Sequence, residues 1–174
     1  GAGYWMTDQS PGREVNGKIQ KPIAYLVCNF AAPVGDNPSL LTLRDVETIF
    51  HEFGHGLHHM LTRQTELAVS GISGVEWDAV EMPSQFMENF VLNWDVMQTI
   101  THHVKTGKTM PSELFDKLVA AKNYSAGMAN VRQIEFALFD MLLHMDTHPE
   151  KDTVNKILNE VRKEVAVAFP PEYN

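Results

Sequence analysis

The segment that decides the fold is FHEFGHGLHHML, Phe50 to Leu61, which contains four of the eight histidines of the chain. Apolar residues recur at helical spacing before and within this segment, a pattern that predicts an amphipathic helix. Thr42 stands at a capping position, and Asp45 lies in the first turn, where the helix dipole favours a negative charge. We therefore predict a helix from Thr42 to about Thr62.

His51 and His55 are four residues apart, so they project from the same face of this helix. Two imidazoles at this spacing can bind one Zn²⁺ through their ring nitrogens. Glu52 follows the first histidine, and the glutamate of a His-Glu-x-x-His helix takes a proton from the water on the metal. The pentapeptide alone is a weak signal, because two histidines on a helix often form only a polar face.

A catalytic zinc site needs a third protein ligand and an open position for water. A third histidine at position 61, as in the longer His-Glu-x-x-His-x-x-Gly-x-x-His pattern, is excluded because Leu61 stands there. The candidates are downstream glutamates, namely Glu76, Glu81 and Glu88. Glu81 is favoured because it lies near the start of the next predicted helix, where that helix can cross the first one.

Further polar residues are candidates for orienting the ligands. Gln85 and Glu88 share a helix face with Glu81. Glu47 lies one turn before His51. It is expected either to support a zinc-binding histidine or to be a solvated charge on the helix surface.

The rest of the chain predicts a mainly α-helical fold with a small β element near the N-terminus. Residues 1–22 are rich in Gly, Asn, Asp and Pro and predict loops and turns, with a hairpin turn at the Asn-Gly pair of Val15 to Lys18. The apolar segment Pro22 to Ala31 predicts a strand. A glycine-rich loop follows the first helix, and four further helices are predicted at about 79–104, 111–122, 126–145 and 149–168.

Composition excludes several classes of function. The 174 residues suffice for one domain, the net charge is −8, and no basic run is present, so we expect neither nucleic acid nor a membrane as a partner. No apolar run approaches the roughly 20 residues that span a bilayer. The single cysteine, Cys28, allows no internal disulfide and is compatible with a reducing compartment, so we predict a cytoplasmic location.

Three segments resemble the oligopeptidase A branch of the thimet oligopeptidase family of zinc metallopeptidases. They are FHEFGHGLHHML, SGISGVEWDAVEMPSQFMENF and KPIAYLVCNFAAPV. The similarity continues toward the C-terminus in AAKNYSAGMANVRQIEFALFD, so it covers nearly the whole chain.

The resemblance implies a zincin-like active-site helix packed against a second long helix, with one Zn²⁺ per chain. It implies that His51, His55 and Glu81 bind the zinc, and that Glu52 is the general base for attack by a metal-bound water. Members of the family cleave short peptides in a deep channel between two mostly helical halves. Short peptides are therefore the expected substrates.

Two features are candidates for binding the peptide. His58 lies one turn after His55 and is predicted to point into the cleft. The predicted strand, with Ala24 and Tyr25, is expected either to accept an extended peptide along an open edge or to pair only within a local sheet.

Family members are several times longer than this chain and supply Tyr and His residues beyond Asn174 that stabilise the oxyanion. We therefore expect residues 1–174 to be the zinc-binding part of a longer catalytic domain, with the remainder of the parent polypeptide as a partner. The alternative is a fragment that binds zinc but is catalytically incomplete. A helical interaction domain with incidental histidines is disfavoured by the combined ligand set.

Overall fold

A computed structural model of the chain describes residues 3–146 and 150–166. The chain divides into two compact units, Gly1–Ser112 and Glu113–Asn174. Helices dominate, with short strands near the N-terminus, which confirms the predicted fold class. None of the helices in these residues is both long and apolar enough to cross a membrane.

The β element of the first unit consists of two separate antiparallel pairs. Strand β1 (Trp5–Ser10) pairs with β4 (Ile23–Val27), and β2 (Arg13–Val15) pairs with β3 (Lys18–Gln20). The predicted strand and the predicted Asn-Gly hairpin turn are both confirmed. The expectation that residues 1–22 form only loops and turns was wrong, because three of the four strands lie there.

Helix α1 (Leu43–Met60) confirms the predicted first helix. It begins after a capping box in which the Thr42 hydroxyl accepts a hydrogen bond from the Asp45 N–H, while the Asp45 carboxylate accepts from the Thr42 N–H. This reciprocal pair satisfies two backbone donors that a helix start otherwise leaves without partners.

The second predicted helix, 79–104, is not continuous. Its residues form a loop to Glu81, helix α2 (Met82–Glu88), a 3-10 segment (Asn89–Leu92) and helix α3 (Trp94–Ile100). The break occurs because the Asn93 side chain accepts a hydrogen bond from the Val96 N–H at 3.1 Å and caps a new helix start. The helix that was predicted to begin at about residue 79 begins at Met82, and Pro83 lies in its first turn, where the missing N–H costs least.

Helices α1 and α2 approach each other closely at Gly54. A Cβ atom at position 54 would lie 2.5 Å from the Pro83 carbonyl oxygen and 2.5 Å from the Ser84 Cα. Both neighbours are backbone atoms, so neither can move without moving α2. The absence of a side chain at Gly54 thus sets the distance between the two helices.

The described secondary structure of the second unit consists of helices and short turns. It contains α4 (Ser112–Asn123), α5 (Ala126–Met145) and α6 (Thr153–Val165), which confirms the predicted third and fourth helices. The prediction of 149–168 for the last helix is confirmed for its central part, and Pro149 and residues 167–168 lie outside the described residues.

A buried carboxylate links α5 to α6. Glu135 lies between Arg132, at 2.5 Å, and Arg162, at 2.9 Å. Hydrogen bonds from these two arginines hold the pKa of the Glu135 carboxyl below its usual range. The two arginines therefore compensate the buried negative charge of Glu135 where α5 and α6 meet.

We expect Gly54→Ala to lower the free energy of unfolding of the first unit by about 2–3 kcal/mol, because the new methyl group overlaps backbone. Gly56→Ala on the same helix is the matched control. Its Cβ would lie 3.2 Å from the Leu26 Cδ2, the tip of an exposed side chain that can shift. Since alanine favours a helix over glycine, we expect a change of no more than about 1 kcal/mol for Gly56→Ala.

Urea unfolding followed by tryptophan fluorescence makes this measurement. The three tryptophans, Trp5, Trp77 and Trp94, all lie in the first unit, so the signal reports on that unit alone. Equal stability of the Gly54→Ala and Gly56→Ala variants would contradict the argument.

Candidate metal centre

The two histidines of the His-Glu-x-x-His segment lie side by side on α1. The ring centroids of His51 and His55 are 5.0 Å apart and the rings are nearly perpendicular, at 83°. His55 is buried and His51 is partly exposed. Because both rings leave the same helix face, their Nε2 atoms point to one place.

That place is occupied by a carboxylate oxygen of Glu81, the residue just before α2. The Glu81 Oε2 lies 3.2 Å from the His51 Nε2 and 3.2 Å from the His55 Nε2. The hydroxyl of Ser84 donates a hydrogen bond to the same oxygen at 2.8 Å. Ser84 is fully buried, and its hydroxyl also lies 2.9 Å from the Glu81 backbone carbonyl, so its one hydrogen has two acceptors, both on Glu81.

The three atoms form a set that fits a metal ion, since all of them lie within 4.8 Å of one another. Ligand atoms about 2.0–2.1 Å from a tetrahedral Zn²⁺ are about 3.3 Å apart, close to the separations seen here. Two nitrogens and one carboxylate oxygen are also the donor set that zinc takes in catalytic sites.

The protonation of His51 adds to this fit. Its Nδ1 lies 2.6 Å from the Glu88 Oε1, and a carboxylate only accepts, so the hydrogen on Nδ1 points to Glu88. In the neutral ring, Nε2 then carries a lone pair that faces the Glu81 Oε2, another acceptor. Two acceptors at that distance repel unless a cation, either a ring proton or a metal ion, lies between them.

Glu52 is buried beside the two histidines, and its side chain is only 5% exposed. Its Oε2 and the His55 Nδ1 lack a hydrogen-bond partner among the residues that the structure describes. Burial raises the pKa of the Glu52 carboxyl, and Glu81 raises it further, while His51, His55 and a backbone hydrogen bond from Met6 oppose the rise. A carboxylate with a raised pKa is a stronger base at neutral pH.

The other predicted polar residues differ in how closely they approach His51, His55 and Glu81. Glu88 is in direct contact with His51. Glu47 lines a cavity of about 370 Å³ together with His51 and Glu88. Gln85 is exposed, and its backbone carbonyl rather than its side chain takes part in a hydrogen bond, from Asn89.

A cleft of about 490 Å³ opens beside the four residues His51, Glu52, His55 and Glu81. Its remaining lining is apolar and aromatic, and comes from two stretches of chain. One is the start of β1, and the other is the loop before α2. The residues are Tyr4, Trp5, Met6, Ile72, Val75, Trp77 and Val80.

These wall residues and Ser84 were not predicted from the sequence. Residues 4–6 were predicted to be loop, and the alternation of WMTDQS is too polar to indicate a strand. For Ser84 a signal exists, because it lies three residues after Glu81, the spacing at which a short polar side chain reaches back along a helix start.

The predicted peptide-binding residues lie elsewhere. His58 lines a separate apolar groove of about 780 Å³ on another side of α1, and burial lowers its pKa, with smaller contributions from His55 and His59. Ala24 and Tyr25 lie in β4, and the lining of the cleft near Glu52 comes from β1 instead. None of the three lines the cleft beside Glu52, and their roles in peptide binding stay predictions.

Comparison with known proteins gives a consistent result over nearly the whole chain. Residues 2–173 match the model of peptidase family M3. The chain is 50% identical over 173 residues to oligopeptidase A of Salmonella typhimurium, with 98% of this chain and 25% of that protein covered. It is 47% identical over 167 residues to oligopeptidase A of Haemophilus influenzae, with 95% and 24% covered.

A plant relative, the probable cytosolic oligopeptidase A of Arabidopsis thaliana, is 46% identical over 151 residues, with 84% of this chain and 22% of that protein covered. The chain thus spans about a quarter of the length of these curated relatives. The family model covers more than nine tenths of the chain, and on that match the chain belongs to peptidase family M3.

Proposed function

We propose that the chain carries the metal centre of a zinc peptidase that hydrolyses short peptides. The observation that carries this proposal is the meeting of two imidazole Nε2 atoms at one carboxylate oxygen, with the buried carboxylate of Glu52 beside them. Membership in peptidase family M3 and the relatives named oligopeptidase A support it.

His51, His55 and Glu81 are the proposed ligands, one Zn²⁺ per chain. A zinc ion held by two histidines and one glutamate lowers the pKa of bound water to about 7 and polarises a carbonyl group. The chain's own residues prepare the ligands for this. Glu88 accepts the Nδ1 hydrogen of His51, so Nε2 is left free to bind, and Ser84 orients the Glu81 carboxylate.

Glu52 is the proposed general base. Its Oε2 takes a proton from the water molecule whose oxygen forms the new bond to the peptide carbonyl carbon. When the carbon–nitrogen bond breaks, the same oxygen returns that proton to the leaving amine. The balance of the step is one water consumed and one peptide bond cleaved, with Glu52 restored to its starting state.

The cleft supports a peptide as the substrate. Its walls offer apolar and aromatic surface to side chains, while the charged groups are confined to the side where the ligands lie. Aromatic walls with a few convergent polar groups are typical of small-ligand sites in proteins.

A second candidate function is zinc binding with little turnover. It is favoured by the share of the relatives that the chain spans, about a quarter of their length. Losing a single oxyanion donor costs roughly 10²- to 10³-fold in rate, so a site that is short of such groups binds metal without useful catalysis.

The ligand assignment predicts a graded loss of zinc affinity. Glu81→Gln removes a ligand and should weaken zinc binding by more than about 100-fold, because residues that only support a ligand already contribute about 10- to 100-fold. Glu88→Gln should fall within that smaller range. Glu76→Gln, the matched control in the exposed loop, should leave the affinity unchanged.

Chelator competition on the purified variants measures these affinities. Retention of zinc by Glu81→Gln together with its loss in Glu76→Gln would show that the third ligand was assigned to the wrong glutamate.

The role of Glu52 is best tested in a chimera in which the chain replaces the matching quarter of Salmonella oligopeptidase A. We expect the chimera to hydrolyse a quenched fluorescent peptide, and Glu52→Gln to keep its zinc but lose at least about 100-fold in kcat, since an amide cannot take the proton. The free 174-residue chain, loaded with zinc, should be far slower than the chimera.

Two results would count against this assignment. Loss of zinc in Glu52→Gln with an intact fold would make Glu52 a ligand. Turnover by the Glu52→Gln chimera equal to that of the unmodified chimera would exclude it as the base.

A further inference from the structure

A second buried polar cluster lies in the first unit, at the C-terminal end of α1. Its central residues are His59 and Ser70, both with an exposed fraction of 0%. Buried polar groups are costly unless their hydrogen bonds are made, so two such residues side by side indicate a defined set of partners.

The imidazole of His59 joins two backbone segments. Its Nε2 lies 3.0 Å from the carbonyl oxygen of Ser10, the last residue of β1, and its Nδ1 accepts a hydrogen bond from the N–H of Ile72 at 3.4 Å. A carbonyl only accepts and a peptide N–H only donates, so the ring proton lies on Nε2. Both ring nitrogens are thus used, one on each segment.

Ser70 and Gly71 strengthen the same connection. The Ser70 hydroxyl donates to the Gly12 carbonyl at 2.6 Å and lies 3.1 Å from the Gln64 carbonyl. Gly71 has a φ of 67°, and any Cβ at this position would overlap the His59 ring. The loop backbone therefore lies directly against the imidazole.

The two segments that His59 joins are those that form the walls of the cleft. β1, with Trp5 and Met6, contributes one wall and ends at Ser10, and the loop that contains Ile72 and Trp77 contributes the other. The metal ligands adjoin these segments, because His51 and His55 belong to α1, as His59 does, and Glu81 follows the wall loop directly. Glu81 also accepts a hydrogen bond from Ser84.

We propose that His59 is a positioning residue that holds both walls of the cleft in place through the backbone of Ser10 and Ile72. Its two hydrogen bonds go to the wall segments and to none of the proposed ligands His51, His55 and Glu81. The inference rests on the proposed function in taking the cleft as the peptide site. The test measures amide hydrogen exchange in the wall segments themselves, so it gives an answer even if no peptide is cleaved.

Amide hydrogen exchange, followed by NMR on the zinc-loaded chain, tests the proposal with a matched pair of variants. His59→Leu places an apolar side chain at this buried position and removes both hydrogen bonds. His59→Gln retains one donor and one acceptor at nearly the spacing of the imidazole nitrogens. The reference is the amide of Gln85, which donates at 2.9 Å to the backbone carbonyl of the proposed zinc ligand Glu81.

In His59→Leu we expect exchange at Ile72 and along β1 to rise by about tenfold, the effect of losing a hydrogen bond that holds a segment closed. Exchange at Gln85 and zinc affinity should change by less than about threefold, within the range seen for independent sites. His59→Gln should restore most of the protection at Ile72.

Two results would overturn the proposal. Unchanged exchange at Ile72 would show that the ring does not hold the loop, and an equal rise at Gln85 with loss of zinc would make His59 a general packing residue. If His59→Leu does not fold, Ser70→Ala, which removes only one oxygen atom, should give the same local rise, and its absence would also contradict the proposal.

The chimera separates this proposal from the proposed function. In the chimera, His59→Leu should raise KM more than it lowers kcat. The reason is that His59 bonds the two wall segments, which would contact the substrate, and bonds neither Glu52 nor the proposed zinc ligands. An inactive chimera would count against the function, while the exchange data would still decide the role of His59.

Discussion

The absence of a side chain at Gly54 is the constraint on which the rest of the site depends. It lets the backbone of α2 approach α1 to a distance at which any Cβ would overlap the Pro83 carbonyl and the Ser84 Cα. At that distance Glu81, which accepts a hydrogen bond from Ser84, reaches the histidines of α1. A glycine costs a helix about 1 kcal/mol relative to alanine, so its presence in the middle of α1 is explained by this contact.

The two kinds of buried polar residue in the first unit have separate tasks. Glu52, His55 and Ser84 belong to the proposed metal centre, whereas His59 and Ser70 connect the segments that form the cleft walls. Among the residues that the structure describes, the fully buried apolar side chains are Val91 and Met97 in this unit and Val161 in the other. Both groups of polar residues make directed hydrogen bonds, which fix the orientation of the side chains.

Local features of the chain could be predicted from the sequence. The capping residue Thr42 and the apolar spacing gave the bounds of α1, the i and i+4 histidines are neighbours on any helix, and α5 was predicted at its observed bounds. Features that depend on distant segments could not be predicted. β1 exists because β4 pairs with it, and the break before α3 depends on whether Asn93 caps a new helix or continues the old one.

The same distinction between local and long-range features applies to the candidate site. The spacing places His51, Glu52 and His55 together, but the choice of Glu81 among three glutamates depends on how the glycine-rich loop closes. The cleft walls and the support from Ser84 became visible only in the folded chain. Local geometry thus gave the reactive helix, and long-range packing gave the surfaces around it.

The central claim is that one zinc ion lies between α1 and the start of α2. The most direct measurement is an anomalous difference map, recorded at the zinc absorption edge from crystals of the zinc-loaded chain. We expect one strong peak about 2.0–2.2 Å from the His51 Nε2, the His55 Nε2 and a Glu81 carboxylate oxygen. A map with no peak there, or a zinc bound elsewhere while these three side chains contact only one another, would contradict it.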